Sequence, residues 1–196
     1  MIQRLFLATL TSLAVVCVRN ASAASLEAGD SQLMLQTAAV FTNGGTLNES
    51  GPYYDTNGSY TNYNFAAGLG FGLGADFEAG FNVGFGHLNT TGCNGYGCRT
   101  DTVENRQWSL FVRHDFSPYY DDDSDDYAFS GIELTDVYPA RGFGHITALR
   151  PYVGYRFGMP QDWALELSVG SFQVVSGTAE ISSGYEIRAG LTIPLG

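Results

Sequence analysis

The sequence predicts an all-β fold, an eight-stranded antiparallel up-and-down barrel that crosses a membrane. Three observations carry this. Apolar residues recur with a period of two in segment after segment, with no helical periodicity between them. The opposite faces of those segments are mostly Gly, Ser and Asn rather than the Lys and Glu of a soluble barrel's exterior. The charges on that polar face nearly balance, and every basic residue of the chain is Arg.

The chain has 196 residues. A short basic start, the apolar run Leu5 to Val18 and the small-residue site Ala21 to Ala23 form a secretory signal peptide over residues 1–23. The apolar run is too short for a transmembrane helix. Cys17 does not suit a lipoprotein signal, because Val16 before it lacks the small side chain required. Residues 24–196 then form a single domain.

The stretch from Phe65 to Gly86 tests the assignment. It is apolar enough for a membrane helix, but it holds seven glycines, each costing about 1 kcal/mol in a helix relative to Ala. A phosphate-binding loop needs a lysine, and the chain has none. Period two fits. Phe65, Ala67, Leu69, Phe71 and Leu73 face one way, and Gly68, Gly70, Gly72 and Gly74 the other. After a tight turn at Leu73 to Asp76 the pattern resumes, with Phe77, Ala79, Phe81, Val83 and Phe85 against Glu78, Gly80, Asn82, Gly84 and Gly86.

The remaining strands follow in order. Leu33 to Phe41 precedes the hairpin, and Trp108, Leu110 and Val112 follow it. The segment Tyr127 to Leu134 changes the parity of its apolar face at Gly131, as a bulge would. Leu149, Pro151, Val153, Tyr155 and Phe157 alternate with Arg150, Tyr152, Gly154 and Arg156. The turn "MPQD" leads to Trp163, Leu165, Leu167 and Val169, and the last strand runs from Ile181 to Leu195. Gly44 to Gly58 and Leu88 to Asn105 read as long polar loops at one barrel end, with short turns at the other.

The face of the barrel that meets lipid is decided by the charges. Glu78, Asp115, Glu166 and Glu186 share the polar face with Arg113, Arg150, Arg156 and Arg188. Balanced ions with Arg as the cation suit a closed lumen, where carboxylates accept paired hydrogen bonds from guanidinium groups. Glycine leaves room for these long side chains in a narrow bore. Trp163, Phe157 and Phe77 on the turn side, and Tyr60 and Tyr63 on the loop side, read as interfacial girdles. An eight-stranded bore is just wide enough to be filled by side chains, so these ions read as a plug, with a narrow channel for ions or small apolar solutes as the alternative.

With these features the chain resembles the small eight-stranded outer-membrane barrels, such as the OmpA transmembrane domain, OmpX and OmpW. The resemblance spans the mature chain. It implies residence in the outer membrane of a Gram-negative cell, with long loops outside and turns in the periplasm. The implied partners are outer-membrane lipid and lipopolysaccharide, and the barrel-assembly machinery during biogenesis. Such proteins tend to end in a strand read by that machinery, and Arg188, Gly190, Ile193 and Leu195 match its pattern. Pro194 and the terminal Gly196 depart from it.

Other candidates are weaker. Cys93 and Cys98 in "GCNGYGC" read as a local disulfide in an oxidising compartment, stabilising the loop by about 2 kcal/mol; a metal site would need ligands beyond His87. Some eight-stranded outer-membrane barrels modify lipid A, and their deacylases place His and Ser two residues apart near the outer rim. His145 and Thr147 have that spacing, but Thr replaces Ser and no well-placed acid follows. The acidic run Asp121 to Asp126 begins like a calcium loop but has Asp126 and Ile132 where Gly and Glu are needed. The expectation is a non-enzymatic protein without cofactor or metal, acting through its surface loops. A net charge of −11 excludes nucleic acid as a partner.

Overall fold

The computed structural model describes residues 27–43, 45–46, 59–94, 97–116, 126–139, 145–177, 180–181 and 184–195. The signal peptide and the acidic run 121–125 lie outside these residues. Ten strands follow in chain order: β1 (Ser31–Asn43), β2 (Gly45–Thr46), β3 (Ser59–Gly74), β4 (Phe77–Asn94), β5 (Gly97–Phe116), β6 (Tyr127–Pro139), β7 (Ile146–Gly158), β8 (Ala164–Gly177), β9 (Glu180–Ile181) and β10 (Gly184–Leu195). Eight of them close into an antiparallel barrel in the order β1-β10-β8-β7-β6-β5-β4-β3. The short β2 and β9 pair with each other at the loop end.

Alternation sets what each face meets. Phe65, Phe81, Val83, Phe85, Leu110, Val153, Val169 and Ile187 are exposed on the outside. Glu78, Asn82, Arg113, Glu133, Arg150, Arg156 and Glu166 are buried inside, with Glu78 at 0 % exposure. An apolar exterior around a charged interior is the arrangement a bilayer requires of a barrel, because every strand edge is paired and no backbone ladder faces lipid unmade.

The β3–β4 hairpin is built as its sequence specifies. Ala75 and Asp76 occupy its two-residue turn at φ 52° and 63°, and Gly74 at φ +82° absorbs a register shift just before it. The lumen-facing glycines lie under their neighbours' side chains: a methyl on Gly80 would meet the Phe111 ring at 2.6 Å. In the opposite turn, Pro160–Asp162 form a 3₁₀ turn closed by Met159 N–H donating to the Trp163 carbonyl.

Two expectations are corrected. Leu88 to Asn105 is not an open loop, because β4 and β5 stay paired from Leu88↔Val103 to Asn94↔Gly97. Its threonines and Val103 are good strand formers, and they extend the hairpin beyond the barrel body. Nor does β6 bulge at Gly131, since its register with β5 and β7 runs through that residue unbroken. Tyr127 and Phe129 keep the lumenal parity of Glu133, and they are apolar because they cover arginine side chains there. A register shift does occur in the wall, between Thr147 and Ala148 of β7.

Candidate functional site: the charged lumen

The structure places all eight of the expected lumenal ions inside the barrel, in two clusters. The cluster nearer the turns centres on Arg113 and Arg156. Arg113 meets Glu78 through Nη2 at 2.6 Å, Glu166 through Nη1 at 2.8 Å and Asp115 through Nε at 3.3 Å. Arg156 donates from Nε to the same Glu166 Oε1 at 2.8 Å, and also to Tyr127 Oη. Gln32 of β1 ties the two sides together. It accepts from Arg156 at 2.9 Å and donates to Glu78 at 2.7 Å.

The second cluster lies nearer the loops and includes a carboxylate absent from the sequence expectation, Glu133. Arg188 Nη1 donates to Glu133 Oε2 at 2.5 Å and its Nε to Glu186 Oε1 at 2.6 Å. Arg150 Nη1 lies 3.2 Å from Glu186 and 3.6 Å from Glu133, and Thr135 Oγ1 donates to Glu133 at 2.8 Å. The signal for Glu133 was present, since it alternates between Ile132 and Leu134 on the apolar face.

Each of these four guanidinium groups also lies against an aromatic ring. Phe129 covers Arg113 at 5.0 Å, Phe172 covers Arg150 at 5.1 Å, Tyr127 covers Arg156 at 5.1 Å and Tyr152 covers Arg188 at 5.7 Å. Between the clusters, beside Met34, Phe111 and Tyr152, lies a cavity of about 10 Å³, room for about one water. Above the loop-side cluster, Val40, Ile146, Ala148 and Phe172 pack into an apolar layer inside the barrel. This layer was not expected of a polar lumen.

The wall of β3, β4 and β5 is different. Buried amides Asn64, Asn82, Asn105 and Gln107 each keep a side-chain atom without a hydrogen-bond partner in the protein. Asn105 does donate to Asn62 at 3.0 Å and Asn82 to Ser109 at 3.3 Å. This side of the bore is therefore polar but uncharged, with amide groups left to bond to water or to one another.

The remaining expected residues fall elsewhere. Arg188, Gly190, Ile193 and Leu195 all lie on β10, with Gly190 facing inward and Leu195 exposed. Cys93 and Cys98 stand directly opposite each other across β4 and β5, and their side chains lie outside the described residues, as does that of Tyr60. His114 packs between Phe77 and Phe116 on the outer surface, each ring 4.7 Å away. His145 and Thr147 sit at the outer rim, and an acid does lie beside them. It is Asp136, which precedes them in the chain and accepts from Thr147 Oγ1 at 2.8 Å. Among the described residues no group of three or more acidic, His or Cys side chains could hold a metal ion.

No protein-family profile matches the chain, and no curated protein sequence does. Solved structures do match. The outer membrane protein AlkL, determined in lipid bilayers, superposes with a TM-score of 0.54 at 15 % identity, covering 90 % of this chain and 95 % of AlkL. Neisserial surface protein A gives 0.55 at 12 % identity, covering 83 % and 96 %. OprG from Pseudomonas aeruginosa gives 0.53 at 10 % identity, covering 86 % and 98 %. At these identities the likeness is one of fold, and it agrees with the inverted polarity of the barrel itself. The chain has the fold of the small eight-stranded outer-membrane β-barrels.

Proposed function

We propose that the protein is a non-enzymatic outer-membrane barrel whose interior is a closed ion-paired core and whose work is done at the cell surface. One observation carries this reading. The four lumenal arginines with described side chains are all ion-paired and ring-covered, and the gap between the two clusters holds about 10 Å³. A file of ions would have to break several buried pairs to pass, at roughly 3–5 kcal/mol for each partner stranded. The extended β4–β5 ribbon and the segment 44–58 then carry the contacts outside the cell. In that oxidising setting, Cys93 and Cys98 form a cross-strand disulfide that holds the ribbon's end.

The channel reading has its own support in the amides of β3, β4 and β5 that keep polar atoms without a partner in the protein. Two measurements on one preparation decide between them. Purified from the outer-membrane fraction, the protein is expected to run faster on SDS gels unboiled than boiled. In planar bilayers it is expected to show no conductance steps. Regular steps would establish the channel. A single unshifted band from a soluble fraction would overturn the membrane barrel altogether.

A further inference from the structure

The uncharged wall of β3, β4 and β5 gathers its amides at one place. On the lumenal face, register sets Asn64, Gly86 and Asn105 on a single rung. Asn62 lies one rung nearer the loops and Gln107 one rung nearer the turns. Glycine at position 86 lets them meet, because Asn64 Oδ1 occupies the space that a side chain there would fill. Asn105 reaches across the same glycine and donates to Asn62 Oδ1 at 3.0 Å. Side chains from two strands thus come together over the bare backbone of the strand between them.

Acceptors outnumber donors in this group. The buried atoms without a hydrogen-bond partner in the protein are three oxygens, of Asn64, Asn105 and Gln107, and one nitrogen, that of Asn64. Asn64 is 4 % exposed and Asn105 2 %. Asn62 Oδ1 keeps a second lone pair beyond its bond from Asn105. On the loop side Val40, Leu88 and Val103 are buried around Asn62, which shuts the group off from that end of the bore. An enclosed acceptor without a donor or cation is costly.

Charge is the second observation. Glu133 adds a fifth buried carboxylate to the four expected in the lumen, while the described arginines there remain four. The described interior therefore carries one negative charge in excess. A core of low dielectric tolerates that excess only when a cation or a proton balances it. Uncharged amide oxygens replace the hydration shell of sodium or potassium, as carbonyl rings do in potassium-selective pores. They lack the carboxylates that calcium and magnesium sites use.

We propose that Asn64, Asn105 and Gln107, with Asn62, hold one monovalent metal cation inside the barrel, and that it balances the fifth carboxylate. The ion lies over Gly86 and ties β3 to β5 across β4. Its ligands are amides rather than acidic, His or Cys side chains. The proposal rests on the closed-interior reading, since in an open bore water would serve the same atoms.

The test is urea unfolding of the full chain in zwitterionic micelles, in sodium, potassium, calcium or choline chloride at equal ionic strength. Sodium or potassium is expected to raise the midpoint above that in choline and to saturate. The one that acts at lower concentration is the resident ion. Asn64→Leu is expected to fold, because an apolar group of similar size in place of an unpartnered amide is nearly neutral, and to abolish the rise. Asn82→Leu, two rungs toward the turns and lying over Gly68, is expected to keep it. In wild-type crystals soaked with thallium(I), a potassium-sized anomalous scatterer, a peak is expected beside Asn64 and Asn105, which tests the site even where a variant fails to fold. Equal midpoints in all four salts would overturn the proposal and leave a proton to balance the charge. A rise confined to calcium, a rise that survives Asn64→Leu, or crystals without that peak would overturn it too. Planar-bilayer conductance on the same preparation separates the failures. A silent barrel indifferent to sodium and potassium defeats this inference alone, whereas conductance steps with the same indifference defeat the closed interior as well.

Discussion

Glu166 Oε1 accepts from both Arg113 and Arg156, so one carboxylate oxygen holds two guanidinium groups from β5 and β7. Replacing it leaves Arg113 with Glu78 and Asp115, and Arg156 with Gln32 and Tyr127. Buried ion pairs contribute little net stability when intact, but removing one partner strands the other without solvent. Glu166→Gln is therefore expected to destabilise the barrel by roughly 3–5 kcal/mol, read from the urea midpoint in micelles. Glu104→Gln, on the exposed outer surface of β5, is expected to change that midpoint by less than about 0.5 kcal/mol. Equal effects would mean that the lumenal ions are solvated rather than enclosed.

At the scale of the element, the β3–β4 turn holds two non-glycine residues in the left-handed region. Each costs about 1–2 kcal/mol relative to glycine, and the turn type favours Asn-Gly. Asp76→Gly is thus expected to raise stability by about 1 kcal/mol, measured in the same unfolding assay. The hairpin was legible because glycine alternation admits few other readings. The β6 strand was legible in extent but not in geometry. Its lumenal Tyr127 and Phe129 break the rule that the inside is polar, because an aromatic face attracts a guanidinium that is shut away from water. The same strand hid both residues that sequence reasoning missed. Glu133 and Asp136 differ in parity and so face opposite sides of the wall. Nothing in the alternation alone says that an acid on the apolar face will find Thr147 and Tyr138 beside it. The length of the β4–β5 ribbon was illegible for another reason: polar strands pairing in water carry no apolar face to announce them.

For the whole molecule, the two girdles give the depth of the apolar band. From Arg106 to Phe116, ten residue steps of β5 rise roughly 33 Å, or about 25 Å along the axis at a typical tilt. Leu110 lies near the middle of that band. Leu110→Arg is expected to cost about 2–4 kcal/mol, whereas Tyr63→Arg, at the loop-side girdle, costs about 0–1 kcal/mol. Refolding into lipid vesicles over a urea series measures both. Similar costs would mean that the band is misplaced.

The lumenal clusters also constrain the route by which the chain is put together. Their members come from β4, β5, β6, β7, β8 and β10, and the last hydrogen bonds come from Gln32 and Gln36 on β1, which reach Arg156 and Arg188. A half-wound sheet would carry these charges on an open face, where they hold water and resist entry into lipid. Hydrocarbon is reached cheaply only once the first strand meets the last and the ions neutralise one another out of solvent. The interior chemistry is then a latch on assembly: insertion and ring closure become one event, and an incomplete barrel is held back at the membrane surface.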